Sequence, residues 1–213
     1  VDERTPLQDR ANIVARLQLS ASTKYRVVIA PLFAVWLQRP KGPEDVVWTA
    51  FGPVHAIITT EGPESRGAPI GMGIATDTQD LGRSFSTALI ALRLYEGESL
   101  VPVNADGLGG LAEMFADLPV TERSDSDAAA MDAITEIGWG RATLSALVEP
   151  SSVREAARVI GVHHSTVTTR LEVVVSKLGF DPLTGLGRTR LGLAFLRWRL
   201  HNSRVLELPT TNN

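Results

Sequence analysis

Residues 152–178 hold the pattern that most narrows what this chain can fold into. In Ser152-Val153-Arg154-Glu155-Ala156-Ala157-Arg158-Val159-Ile160-Gly161, the residues Val153, Ala156, Ala157 and Ile160 stand at i, i+3, i+4 and i+7, one face of a helix. Ser151 or Ser152 is placed to cap it, and Glu155 stands three residues after Ser152, as in a capping box. A second helix is predicted at about 165–178, burying Val167, Leu171, Val174 and Leu178. Two helices joined by so short a turn cross steeply and need a small side chain where their backbones approach. Ala156 or Ala157 supplies it, and Gly161 supplies the turn.

The other face of the second helix shows Ser165, Thr169, Glu172 and Ser176, flanked by Thr166 and Thr168, with His163 and His164 at its entrance. Short hydrogen-bonding side chains gathered at a helix N-terminus are what a recognition helix needs to read base edges in a major groove. Arg170 and Lys177 on the flank, and Arg154 and Arg158 one turn apart on the first helix, are placed to meet phosphates. A helical hairpin that binds a partner protein, or simply faces water, can carry the same residue types.

The charge distribution agrees with a polyanionic partner. The net charge is −3, yet from Arg141 onward ten Lys/Arg stand against five Asp/Glu, leaving eleven against nineteen before it. The C-terminal third is the part suited to double-stranded DNA. With no cysteine, disulfides and thiolate metal sites are excluded. No apolar run approaches the roughly 20 residues that span a bilayer, and the start lacks the apolar stretch of a secretory signal. A soluble, cytoplasmic chain without a membrane partner is expected. It opens at Val1 and not at a methionine, which leaves room for a further domain upstream.

Before about Leu118 the chain mixes strand and helix signals. A helix is predicted over Leu7 to Leu19 and a buried strand over Tyr25 to Ala30. Val46 to Phe51 and Val54 to Thr60 read as a hairpin turning at Gly52-Pro53, followed by a loop from Glu61 to Pro69 and a strand from Ile70 to Ala75. Leu81, Phe85, Ala88, Leu89, Leu92 and Tyr95 form one helical stripe, with Thr78 or Asp80 as cap. A strand at Leu100 to Val103 and a helix at Leu108 to Phe115 complete an α+β domain. Pro119 to Asp127, polar and β-breaking, reads as a linker. Beyond it the chain is all helical, with segments at about Asp127 to Ile137, Arg141 to Val148, Ser152 to Gly161, Ser165 to Leu178 and Thr189 to Asn202.

The histidines do not read as a metal or catalytic site. Only His55, His163, His164 and His201 exist, without the i, i+4 spacing of a helical zinc pair, and the glycines at Gly107, Gly109 and Gly110 lack the Lys-Ser/Thr of a phosphate loop. In the last helix, Leu191, Phe195 and Trp198 form one stripe and Leu193, Leu196 and Leu200 a second. One closes the helical domain and the other is left for a neighbouring domain, a second subunit or its own core. Arg190, Arg197 and Arg204 recur every seven residues and read as solvated.

The run from Thr143 to Leu200, with Ser152 to Ala157, Val162-His163-His164-Ser165-Thr166-Val167, Arg170-Leu171, Lys177-Leu178-Gly179 and Arg190-Leu191-Gly192-Leu193-Ala194, resembles the C-terminal helix-turn-helix of PucR/CdaR-type regulators. The family commonly has Pro or Glu-type caps where His164 stands and often a basic residue where Thr168 stands, so the resemblance implies the mode of binding and not the base preference. The first half is similar to the GGDEF-like domain of the same family, through Gly71-Met72-Gly73-Ile74, Leu81 to Phe85 and Ala88 to Leu92. Diguanylate cyclases hold metal and triphosphate with acidic residues at a hairpin turn, and Phe51-Gly52-Pro53-Val54 carries none.

The resulting expectation is a non-enzymatic transcription regulator without cofactor. Residues 1–120 form a degenerate GGDEF-like α+β domain for dimerisation or signalling, and residues 121–213 form an all-α DNA-binding domain. The DNA contacts are assigned to His163, His164, Ser165, Thr166, Thr168, Thr169, Arg170, Arg154 and Lys177, in a homodimer open to a small-molecule effector. The competing readings are a nucleotide-cyclase-like enzyme and a protein-interaction module.

Overall fold

A computed structural model of the chain describes residues 7–62, 64–97, 99–118, 126–148 and 152–207. They divide into two compact units, the first holding residues up to 118 together with 203–207, the second holding 126–202. A mixed α/β region comes first and a helical region second, as the sequence patterns require.

The first unit opens with α1 (Leu7–Arg16) and continues through β1 (Arg26–Pro31), β2 (Val35–Gln38), β3 (Glu44–Thr49), β4 (Gly52–Thr59), β5 (Arg66–Ala68) and β6 (Gly71–Met72). It closes with α2 (Leu81–Arg93), β7 (Val103–Asn104) and α3 (Gly110–Ala116). Five strands pair in the order β3-β4-β1-β6-β7, and β6 and β7 run parallel. The unbroken apolar run of β1 follows from its central place, since both of its faces are covered. Val27 and Ile29 pack with Val54, Leu81, Ala88 and Leu92 beneath α2, while Val28 and Ala30 pack with Ile70, Met72 and the half-buried Trp36 on the other side.

α2 is fastened to the sheet by two side chains facing strand ends. Ser84 Oγ accepts from the Val27 N–H at 2.8 Å and donates to the Ile74 carbonyl at 2.7 Å. Thr87 Oγ1 accepts from the Ile74 N–H at 3.2 Å and donates to the Arg83 carbonyl at 3.0 Å. These polar groups are fully buried and satisfied, so they do not carry the cost of an unpaired buried donor. Arg83 on the same helix pairs with Glu113 at 3.2 Å and with Asp117, which holds its guanidinium proton above the ordinary range despite some desolvation.

The hairpin is shifted from its expected turn. Thr49 faces Gly52 and Trp48 faces Pro53, so the turn is Ala50-Phe51, and Gly52-Pro53 lie inside β4. Thr49 makes this turn itself, donating to the Gly52 carbonyl at 2.7 Å and accepting from the Phe51 N–H at 3.1 Å. Pro53 is tolerated because β1 pairs with β4 only as far as Val54. The Arg93 guanidinium lies 3.6 Å over the Phe51 ring, where burial pushes its pKa down to about 10.

Other elements differ by length. Part of the expected loop from Glu61 to Pro69 is strand, because Arg66, Gly67 and Ala68 pair with Gln38, Trp36 and Val35 in a separate two-stranded sheet. α1 stops at Arg16, and Gln18 takes a left-handed φ of 55° in the turn that follows. The expected strand from Ile70 to Ala75 narrows to Gly71–Met72. The next strand sits at Val103–Asn104, and a 3-10 turn over Ala105–Leu108 precedes α3.

The second unit comprises α4 (Ser126–Thr135), α5 (Gly140–Val148), α6 (Val153–Val159), α7 (His164–Leu178) and α8 (Gly185–His201). Its core gathers Met131, Ile134, Leu144, Leu147, Val167, Val174, Leu191 and Phe195. Of the expected linker, residues 119–125 lie outside the described residues, as does Ser151, and the remainder is helix. Asp127 belongs to α4, where its carboxylate accepts two hydrogen bonds from Arg190 at 2.9 and 2.6 Å. Arg190 is therefore an exposed charge that also clamps α8 to α4.

α8 starts four residues before the expected Thr189. Thr184 caps it by accepting from the Gly187 N–H at 3.3 Å, which overrides Gly185 as a breaker. Leu191, Phe195 and Leu200 are buried, whereas Leu193 and Leu196 are half-buried. Trp198 stacks on Phe195 at a centroid distance of 6.0 Å and donates Nε1–H to Asp132 at 2.9 Å. Residues 203–207 group with the first unit, where Val205 and Leu206 pack at the edge of the cluster beneath α2. No helix among the described residues is long and apolar enough to cross a membrane.

Candidate nucleic-acid interface

α6 and α7 pack through the small residues that the sequence places between them. Ala156 and Ala157 are buried at 1% and 3% exposure. Ser152 caps α6, its Oγ accepting from the Glu155 N–H at 3.2 Å, while the Glu155 carboxylate lies 3.8 Å from Arg158. Gly161 takes a φ of 67° between the helices, a backbone conformation that glycine adopts without strain. Val167, Val174 and Leu178 then point inward and Leu171 is half-buried.

The outer face of α7 carries the predicted set. His163, His164, Ser165, Thr168 and Thr169 are exposed, and Thr166 is half-buried. The cap of α7 is His163: its Nδ1 accepts from the Ser165 N–H at 3.4 Å and lies 2.8 Å from Ser165 Oγ. An accepting Nδ1 requires the neutral ring to carry its proton on Nε2. The His164 ring lies 4.2 Å from that of His163. Replacing His163 with Ala should lower stability by about 1 kcal/mol, whereas Asn, which also accepts at this position, should retain most of it. In thermal melts the Ala variant is expected about 4–8 °C below the Asn variant; equal midpoints would remove the capping role.

Thr168 and Thr169 donate their hydroxyl protons to the His164 and Ser165 carbonyls at 3.1 and 3.2 Å. Each hydroxyl oxygen keeps lone pairs with which to accept. Arg154 and Arg158 on α6 and Lys177 near the end of α7 are exposed. His164 and Lys177 are separated by about 20 Å along the helix, so only the first turns of α7 and the lysine at its far end can serve as separate contacts.

Residues 141–196 match the model of the PucR C-terminal helix-turn-helix domain. This segment is similar to PucR-type helix-turn-helix domains. No curated protein matches the chain. Among solved structures, the chain is similar to the regulator of polyketide synthase expression from Bifidobacterium adolescentis, with 14% identity, a TM-score of 0.30, and coverage of 84% of this chain and 82% of that one.

Within the matched segment, one expected contact turns partly inward. Arg170 is half-buried, its Nη1 donating to Thr143 Oγ1 on α5 at 3.2 Å and its guanidinium lying 5.2 Å from the centre of the Trp139 ring. Just ahead of the matched segment, Trp139 stands beside the face of α7, and Val173 lies along it at 36% exposure. Neither stood out in the sequence. The only local signal is an aromatic residue between two glycines, Gly138-Trp139-Gly140, and nothing local tells which helix it will meet. Among the described residues, no three His, Asp or Glu side chains come together as a metal site.

Proposed function

We propose that this chain is a transcriptional regulator of the PucR/CdaR type that reads promoter DNA by inserting the first turns of α7 into the major groove. The reading is carried by one observation: a PucR-type helix pair whose Ser165, Thr168 and Thr169 lie together on the solvent side. Hydroxyls that give their protons to the helix backbone have lone pairs left to accept from adenine N6 or cytosine N4, and threonine methyls suit the thymine methyl. His163, with its proton on Nε2, and His164 border the same turn. Arg154, Arg158 and Lys177 supply the phosphate contacts that fix register.

The first unit then serves dimerisation or signalling, in keeping with its resemblance to GGDEF-like domains, and a homodimer reads a palindromic or repeated operator. A small-molecule effector is its natural input. Cyclase chemistry is not part of this reading, because Ala50 and Phe51 occupy the hairpin turn where carboxylates would be needed.

The test is a gel-shift series with duplex from upstream of the chain's own gene. Three phosphate contacts per subunit predict that raising salt from about 50 to about 200 mM weakens binding at least 40-fold or so. No retarded species at the lower salt would hand the helix pair to a protein partner instead.

A further inference from the structure

We propose that a depression between Trp139 and α7 seats one sugar–phosphate unit of the DNA backbone; this rests on the reading that α7 contacts DNA. The depression is lined by Trp139, Ser165, Thr166, Thr169, Arg170 and Val173. Its chemistry is that of a deoxyribose phosphate. An indole and an isopropyl group offer apolar walls for the sugar, Arg170 offers a cation for the phosphate, and three hydroxyls offer hydrogen bonds. No carboxylate lines it. It is also continuous with the base-reading face, because Ser165 and Thr169 belong to both, and a helix in the major groove always has a phosphate strand along its side.

The seat is held firmly. Gly140 lies so close to α4 that a Cβ there would stand 1.8 Å from the Ile134 carbonyl oxygen, which fixes the corner carrying Trp139. The Trp139 carbonyl accepts from the Thr143 N–H at 3.0 Å, and its ring packs on the helical core. Arg170 is aimed by the fully buried Thr143 and by the indole. A guanidinium carries five N–H donors, and the bond to Thr143 uses one of them. Such an arginine meets a phosphate with little loss of side-chain freedom.

The experiment is fluorescence anisotropy on the full chain, with one labelled duplex from upstream of its own gene and one scrambled duplex of equal length, over a salt series. Val173→Glu brings a carboxylate to the seat and is expected to weaken binding to both duplexes at least tenfold or so, since like charges are brought together. Val173→Lys, of similar reach and opposite charge, is expected to bind at least as tightly as the parent. Arg170→Leu should reduce the salt slope by about one phosphate's worth. Parent-like binding by Val173→Glu, equal losses in the Glu and Lys variants, or a loss confined to the native duplex would each overturn the seat while leaving the DNA reading standing. A parent chain that retards neither duplex overturns both.

Discussion

Gly73→Ala should strongly destabilise the first unit. A methyl group at this position would stand 1.9 Å from the Ser84 carbonyl oxygen and 2.7 Å from the Ser84 carbonyl carbon. These are backbone atoms of α2, and no rotamer change moves them away. The helix must lift from β6, which lengthens the Ser84 and Thr87 hydrogen bonds that fasten it and opens the cluster around Leu81, Ala88 and Leu92. Overpacking a tight contact costs about 1–3 kcal/mol and at times more. Here a cost at the upper end or beyond is expected, a large share of the roughly 5–15 kcal/mol that a domain has in total. Gly71→Ala should behave alike, since its Cβ would stand 2.3 Å from the Ala88 carbonyl oxygen and 2.4 Å from the Leu92 nitrogen. Gly107→Ala is the control, having nothing within 4 Å of its added carbon. Urea titrations followed by far-UV circular dichroism would decide it: matching midpoints for Gly73→Ala and Gly107→Ala would contradict the close packing of α2 on β6.

The second large effect concerns binding alone. Thr169→Glu places a carboxylate on the outer face of α7, where the proposed complex brings phosphates and base edges. Bringing like charges together at an interface costs several kcal/mol, and about 2.7 kcal/mol corresponds to a 100-fold loss of affinity. A loss of at least that size is expected at low salt. Thr169 is exposed and its hydroxyl bonds within α7, to the Ser165 carbonyl, so the melting midpoint should hardly move. Anisotropy titrations paired with thermal melts make the comparison. Full affinity in a folded Thr169→Glu protein would remove α7 from the DNA interface.

The helical unit was legible to the extent that its signals are local. Ser152 capping α6, the Ala156-Ala157 pair, Gly161 in the turn and the inward stripe of Val167, Val174 and Leu178 all concern residues within about two turns of each other. Where local signals compete, neighbouring residues alone do not decide the outcome. Gly185 looks like a breaker, but Thr184 caps a helix that begins at that glycine, and Asp127 looks like linker until Arg190 reaches it from 63 residues away. In the first unit, Gly52-Pro53 carries the stronger turn chemistry, yet Thr49 closes a tighter turn at Ala50-Phe51. The pairing of β2 with β5 has no periodic signal, because both strands are short and β2 is largely exposed.

What the amino-acid order alone determined is the division into a mixed region and a helical one, the helix pair, and the alcohols and cations on its outer side. Periodicity and capping act between neighbours, so they survive without knowledge of the rest. The tertiary structure decided that Arg170 leans on Trp139 and Thr143, that Arg190 clamps Asp127, and that the backbone of α2 comes too near Gly71 and Gly73 for a side chain there. Each of these depends on which distant backbone arrives at a given point, and close packing sets that through the chain as a whole.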